Sequence, residues 1–106
     1  MSDTRVVLMT VPDASVGEAI AVELVEARLA ACASVLRNVT SVFWWEGEVQ
    51  HADEVLVIMK TPADRVDALV ERAVELHPYD VPELLALPVD TGLAAYLDWV
   101  RTETRG

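Results

Sequence analysis

Apolar and polar positions along the chain follow two alternating periods. Arg5–Thr10, RVVLMT, is a continuous apolar run rich in β-branched residues, the pattern of a central strand buried on both faces. VPDAS interrupts it. Asp13 and Ser15 are both available there as a helix N-cap, with Ser15 and Glu18 spaced as a capping box. Val16, Ile20, Leu24 and Ala27 then recur at spacings of four, four and three, one apolar stripe that leaves Glu18, Glu26 and Arg28 outside it. The spacing predicts a helix ending near RLAAC.

From Ala33 to Thr61 the period shortens to that of strands. SVLRNVTSVFWW is rich in Val, Thr and aromatics, with Asn38 placed to make a bulge or kink. Glu46–Glu48 supplies a glycine for the reversal, and VQHADEVLVIMKT runs back, so the segment reads as a long antiparallel hairpin. Arms of a dozen residues project beyond a small domain. Phe43, Trp44 and Trp45 near the tip then form an uncovered apolar surface, and such surfaces mark partner interfaces.

TPADRVDALVERAVELH restarts the helical period. Thr61 is placed to cap, Pro62 suits the first helical position, and Val66, Leu69, Val70 and Ala73 form the buried stripe. Pro78 stops this helix. VPELLALPV follows as a strand with prolines near both ends, the pattern of an edge strand or of a strand whose ends are unpaired. Leu93, Ala94, Tyr96, Leu97 and Val100 outline a short terminal helix.

The order β-α-β-β-α-β plus a helix predicts an α+β, ferredoxin-like sandwich, one antiparallel sheet with two helices on one face. Its other face must be polar or covered by another subunit. Val6, Leu8, Val35, Val55, Val57, Leu85 and Leu87 leave little room for a polar face, so self-association is expected. With no linker, repeat or low-complexity tract, residues 1–106 read as a single domain.

Charge narrows the partners. Eighteen acids against eight Lys plus Arg give a net charge of −10. Phosphate-backbone binding rests on clustered Lys and Arg, so nucleic acid is not an expected partner. No apolar run approaches the roughly 20 residues of a membrane helix, and no signal-peptide pattern opens the chain. A single cysteine, Cys32, fits a reducing cytoplasm.

His77 is the residue with the most open role. In the last turn of the second helix an imidazolium is favoured by the helix dipole. With Tyr79, Asp80 and Glu83 close behind it, the same ring also suits a metal ligand or a general base. Cys32 and Met9 are the soft-ligand candidates, although a cysteine or methionine on an apolar element is ordinarily core. His51, in the returning arm, reads as solvated. Lys60, Glu46 and Glu83 form a charged cluster only if the sheet brings them together. No CxxC, HExxH, phosphate loop or nucleophile elbow is present, and no enzyme or organic cofactor is expected.

Four stretches read together add a family. VVLMTVPD, LVEARLAACASVL, TSVFWWEGEV and LHPYDVPELLALPV, with YLDWV in the last helix, resemble the CutA divalent-cation-tolerance proteins over nearly the whole chain. The resemblance implies a cytoplasmic homotrimer similar to that of the PII signalling proteins, with Trp44 and Trp45 at or near a subunit contact. It also implies a site for copper or another divalent cation, formed by a Cys on the first strand and a His-His pair before PY. Met9, Leu76 and His77 occupy those positions here, and of them only His77 keeps the ligand type. Cys32 matches the cysteine of the family's AAC. An alternative use of the shared motifs is a cleft between subunits lined by Trp45, Lys60, Tyr79 and Glu83. The expected function is thus a role in divalent-cation tolerance with weak cation binding. The alternative is a PII-like signalling or scaffold trimer that takes a metabolite or partner protein in its clefts.

Overall fold

The computed structural model describes residues 2–105. Its elements are β1 (Thr4–Val11), α1 (Ala14–Glu26), β2 (Cys32–Trp45), β3 (Glu48–Pro62), a 3-10 turn (Ala63–Arg65), α2 (Val66–Leu76), β4 (Leu84–Pro88) and α3 (Ala94–Glu103). The strands form one antiparallel sheet in the order β2-β3-β1-β4. This is the expected ferredoxin-like arrangement with its added helix. β4 is an edge strand, consistent with its flanking prolines.

The core lies between α1, α2 and one sheet face. Val7, Met9, Val11, Val57 and Met59 alternate along β1 and β3 toward the helices, where Leu24, Leu69 and Ala73 meet them. Of the two N-cap possibilities, the structure uses Asp13. Its carboxylate accepts from the Val16 amide at 2.9 Å and from the Ser15 hydroxyl at 2.8 Å, satisfying a backbone donor that the helix leaves free. These bonds, the Val16 amide first, hold its pKa below the ordinary carboxylate value.

α1 stops at Glu26, before RLAAC, and Arg28 takes a left-handed backbone with φ 63°. Ala27 is therefore exposed and is not part of the buried stripe. Gly17 is buried in its place. A Cβ there would lie 3.0 Å from a Val11 methyl and 3.3 Å from a Val57 methyl, so the missing side chain sets how closely α1 approaches the sheet.

The entry to α2 also differs from expectation. Thr61 does not cap it, because β3 continues to Pro62 and the Thr61 hydroxyl donates to the Leu29 carbonyl at 2.6 Å. A 3-10 turn intervenes, and Pro62 precedes that turn rather than opening the helix.

The β2–β3 hairpin is built as its residues suggest. Glu46 and Gly47, with φ 51° and 78°, form the two-residue reversal, and positive φ at both central positions matches strand twist. Asn38, at φ 64°, marks a bulge where the register shifts between Leu36 and Val39. β1 ends at Val11, opposite Val55, so the pairs from Val39 and Glu54 to Trp45 and Glu48 extend as a free ribbon. The molecule is accordingly elongated, 44 × 25 × 23 Å.

β1 is buried on one face only within the protomer. Its other face carries Val6, Leu8 and Thr10, level with Leu56 and Ile58 of β3, Leu36 of β2 and Leu85 and Leu87 of β4. Leu36, Leu85 and Leu87 are 41%, 54% and 47% exposed. Val35, Val55 and Val57, by contrast, turn toward the helices. α3 crosses one corner of this open face, where the Tyr96 hydroxyl lies 3.4 Å from Cys32 Sγ. Arg101–Asp3, Arg28–Glu103 and Arg105–Asp64 ion pairs fix its position. Such exposed pairs contribute little individually, and the buried Val100 anchors the helix.

Candidate functional site

Where the ribbon leaves the sheet it faces the loop between α2 and β4, and the two enclose a cleft of about 700 Å³. His77 organises the loop side. It is the C-cap of α2, its backbone extended ahead of Pro78 and its amide bonded to the Ala73 carbonyl at 2.9 Å. The ring is buried and both its nitrogens are engaged. Nδ1 accepts from the Tyr79 amide at 3.0 Å, which leaves the proton on Nε2 to donate to the Thr10 carbonyl at 2.8 Å. His77 thus ties α2 to the end of β1 as a neutral ring.

Tyr79 extends the tie to the ribbon. Its ring lies 4.8 Å from that of His77, and its hydroxyl donates to Glu54 Oε2 at 2.7 Å. Burial, and next the Glu54 hydrogen bond and charge, push the phenol up to about 12. Glu54 is only 9% exposed, and no Lys, Arg or His pairs with it among the described residues. Phe43 and Trp45 stand on the ribbon face shared with Glu54 and line the cleft, opposite Tyr79, Asp80 and Glu83.

The expected residues therefore fall into separate groups. Trp45, Tyr79 and Glu83 share the cleft. Lys60 lies six residues from Glu54 along β3, roughly 20 Å at strand rise, level with Cys32 and Val6. Within one protomer the structure brings neither Lys60 to this cleft nor Lys60, Glu46 and Glu83 into one cluster. Met9 is wholly buried on the helix-facing side of β1. Cys32 sits beside Tyr96 at the far end of the sheet, where this contact and burial raise the Tyr96 phenol to about 12. His77, Met9 and Cys32 thus form no common coordination shell. No group of three or more His, Cys, Asp or Glu is arranged to hold a metal ion among the described residues. Glu54 was not legible as a site residue, because in HADEVLVIMK it is one acid on an exposed-looking arm. What marks it is the Tyr79 hydroxyl, which reaches its carboxylate from 25 residues away in the chain.

The family described as CutA1 divalent ion tolerance protein matches residues 5–103. This chain is a member of that family. The divalent-cation tolerance protein CutA of Thermus thermophilus is 48% identical over 100 residues, covering 94% of this chain and 97% of that one. The chloroplastic protein CutA 1 of Oryza sativa is 43% identical over 94% of this chain, which spans only 56% of the rice protein's length. A crystal structure of CutA from Xylella fastidiosa superposes with a TM-score of 0.95 at 39% identity, covering 97% of this chain and 99% of that one. No helix among the described residues of this CutA1 family member is long and apolar enough to cross a membrane.

Proposed function

We propose that this chain acts as a homotrimer in divalent-cation tolerance, without catalysing a reaction. One observation carries the assembly: an apolar sheet face, with Leu36, Leu85 and Leu87 about half exposed, that among the described residues only α3 covers, at one corner. Removing such a face from water contributes about 25 cal/mol per Å² of apolar surface, against which the entropy lost on association is set. Phe43 and Trp45, 40% and 55% exposed, continue this face along the ribbon, and Trp44, 73% exposed, presents an apolar surface on the ribbon's other side. Membership in a divalent ion tolerance family supports the role.

Cation binding, copper included, is weak in this reading and comes from carboxylates rather than His77. An imidazole that donates from one nitrogen and accepts at the other offers a metal no free lone pair. Growth of cells lacking the chain, with and without its restoration, tests the role. Lower tolerance to added Cu²⁺ or Zn²⁺ in its absence supports it, and identical growth contradicts it. Isothermal titration of the same ions into wild type and His77→Ala tests the ligand assignment, with equal affinities expected. A loss confined to a folded His77→Ala variant would return His77 to the ligand list.

The cleft favours a second reading, a PII-like scaffold or signalling trimer with a small molecule bound between ribbon and loop. A cavity of about 700 Å³ with an aromatic wall has the size of a ligand site. Thermal-shift screening against nucleotides, amines and small acids tests it, and a flat response contradicts it.

A further inference from the structure

The open face of the sheet carries opposite charges at its two ends. Alternation along β3 puts Leu56, Ile58 and Lys60 on this face, with Val6 and Cys32 level with Lys60. Glu83, immediately ahead of β4, stands at the other end, where it lines the cleft together with Thr10 of the same face. Glu54 shares that cleft, and Lys60 lies six residues further along β3. Roughly 20 Å of largely apolar surface therefore separates the lysine from the acid.

Neither charge is satisfied within the protomer. Lys60 is the chain's only lysine. It is partly buried, and no carboxylate pairs with it among the described residues. Glu83 is exposed and likewise without a cation. Glu54, by contrast, already accepts the Tyr79 hydroxyl and is 9% exposed. Covering this face with a second copy takes Lys60 out of water, and an ammonium buried without a counter-charge is strongly disfavoured.

Symmetry supplies the counter-charge. A closed ring of three meets through two different patches of each protomer, one turned to the next copy and one to the previous. A face that is positive at one end and negative at the other has two such patches. Laid head to tail, the Lys60 end of one copy reaches the Glu83 end of its neighbour, whereas like ends together would set lysine against lysine.

We propose that Lys60 of one copy pairs with Glu83 of the next, an ion pair that fixes how the subunits meet. The proposal rests on the homotrimer reading and adds to it which ends of the protomers come together.

The single lysine makes a specific test possible. A zero-length carbodiimide activates a carboxylate, takes up the water of condensation as a urea and leaves an amide to an amine in contact with it. The assembled protein so treated should give covalent dimers and trimers on a denaturing gel, with Lys60 joined to Glu83 in the peptide map. Lys60→Gln and Glu83→Gln should each abolish this link, and the swapped double variant Lys60→Glu with Glu83→Lys should restore it. Lys60→Glu alone should speed subunit exchange by about ten-fold or more, since breaking a buried pair acts on dissociation. A trimer in which Lys60 couples to no neighbouring carboxylate, or to one other than Glu83, overturns the pair and leaves the homotrimer standing. Exchange unchanged by Lys60→Glu does the same. A lone protomer in sedimentation removes both.

Discussion

Tyr79 donates its hydroxyl to Glu54 across 2.7 Å, joining the loop after α2 to the base of the ribbon. The same residue's amide rests on His77, whose ring is bonded to Thr10 at the end of β1. One continuous set of hydrogen bonds therefore fixes the angle at which the ribbon leaves the sheet. Tyr79→Phe leaves a buried carboxylate without its donor and should destabilise the fold by about 1–3 kcal/mol. Glu54→Gln, which removes the uncompensated charge but keeps an acceptor, should cost less. Urea denaturation of both single variants and the double variant checks this, and additive effects would show that the two side chains are not coupled.

Tyrosine ionisation gives a second check. Tyr79 and Tyr96 are both raised from the ordinary 10.0 to about 12. In each the folded state prefers the neutral phenol, so the stabilisation is complete below pH 10 and is lost as pH rises toward 12. Phenolate absorbance in the folded protein should stay low at pH 10, and Tyr79→Phe and Tyr96→Phe should each remove one of two late steps. Half-ionisation of both residues near 10 without unfolding contradicts the assigned contacts.

Asp13 acts in the opposite sense at the acid end. Its carboxyl is depressed below 3.8 by the Val16 amide and the Ser15 hydroxyl. The stability it contributes is present above that value and fades as pH falls through the lower folded-state pKa. Asp13→Ala should therefore be less stable than wild type at neutral pH, with the gap closing on acidification. A gap independent of pH would assign the cap no charge contribution.

Gly17→Ala sets two magnitudes against each other. Alanine is favoured over glycine in a helix interior by about 1 kcal/mol, whereas overpacking a filled core costs about 1–3 kcal/mol. The new methyl would meet Val11 and Val57 at 3.0 and 3.3 Å. Both valines are 0% exposed and stiff at χ1, so packing should prevail and the variant should melt at a lower temperature. A higher melting temperature would show that α1 can lift from the sheet at little cost.

Much of this architecture was legible because local signals agreed with the final packing. The bulge at Asn38, the reversal at Glu46 and Gly47, the edge character of LLALP and the stop at Pro78 all rest on backbone chemistry that a sequence displays directly. Structure and local pattern part where tertiary contacts override local rules. Thr61 has the spacing of a cap, but the Leu29 carbonyl claims its hydroxyl. Ala27 continues a helical stripe, but the left-handed turn at Arg28 ends the helix beneath it. His77 and Tyr79 were visible as candidates through HPYDVPE. Their partners, the Thr10 carbonyl and Glu54, were not, because 67 and 25 residues separate them in the chain. Lys60 lies at the opposite end of the sheet within one protomer, so only a neighbouring subunit can bring it to a cleft with Tyr79 and Glu83.

The apolar face bearing Leu85 and Leu87 should be buried by further copies of the same chain. Sedimentation velocity of the purified protein across micromolar dilution tests this most directly. A single species at three times the protomer mass is predicted, with Leu85→Glu shifting it toward lighter species. A stable lone protomer at these concentrations, with the fold intact by circular dichroism, would contradict the account.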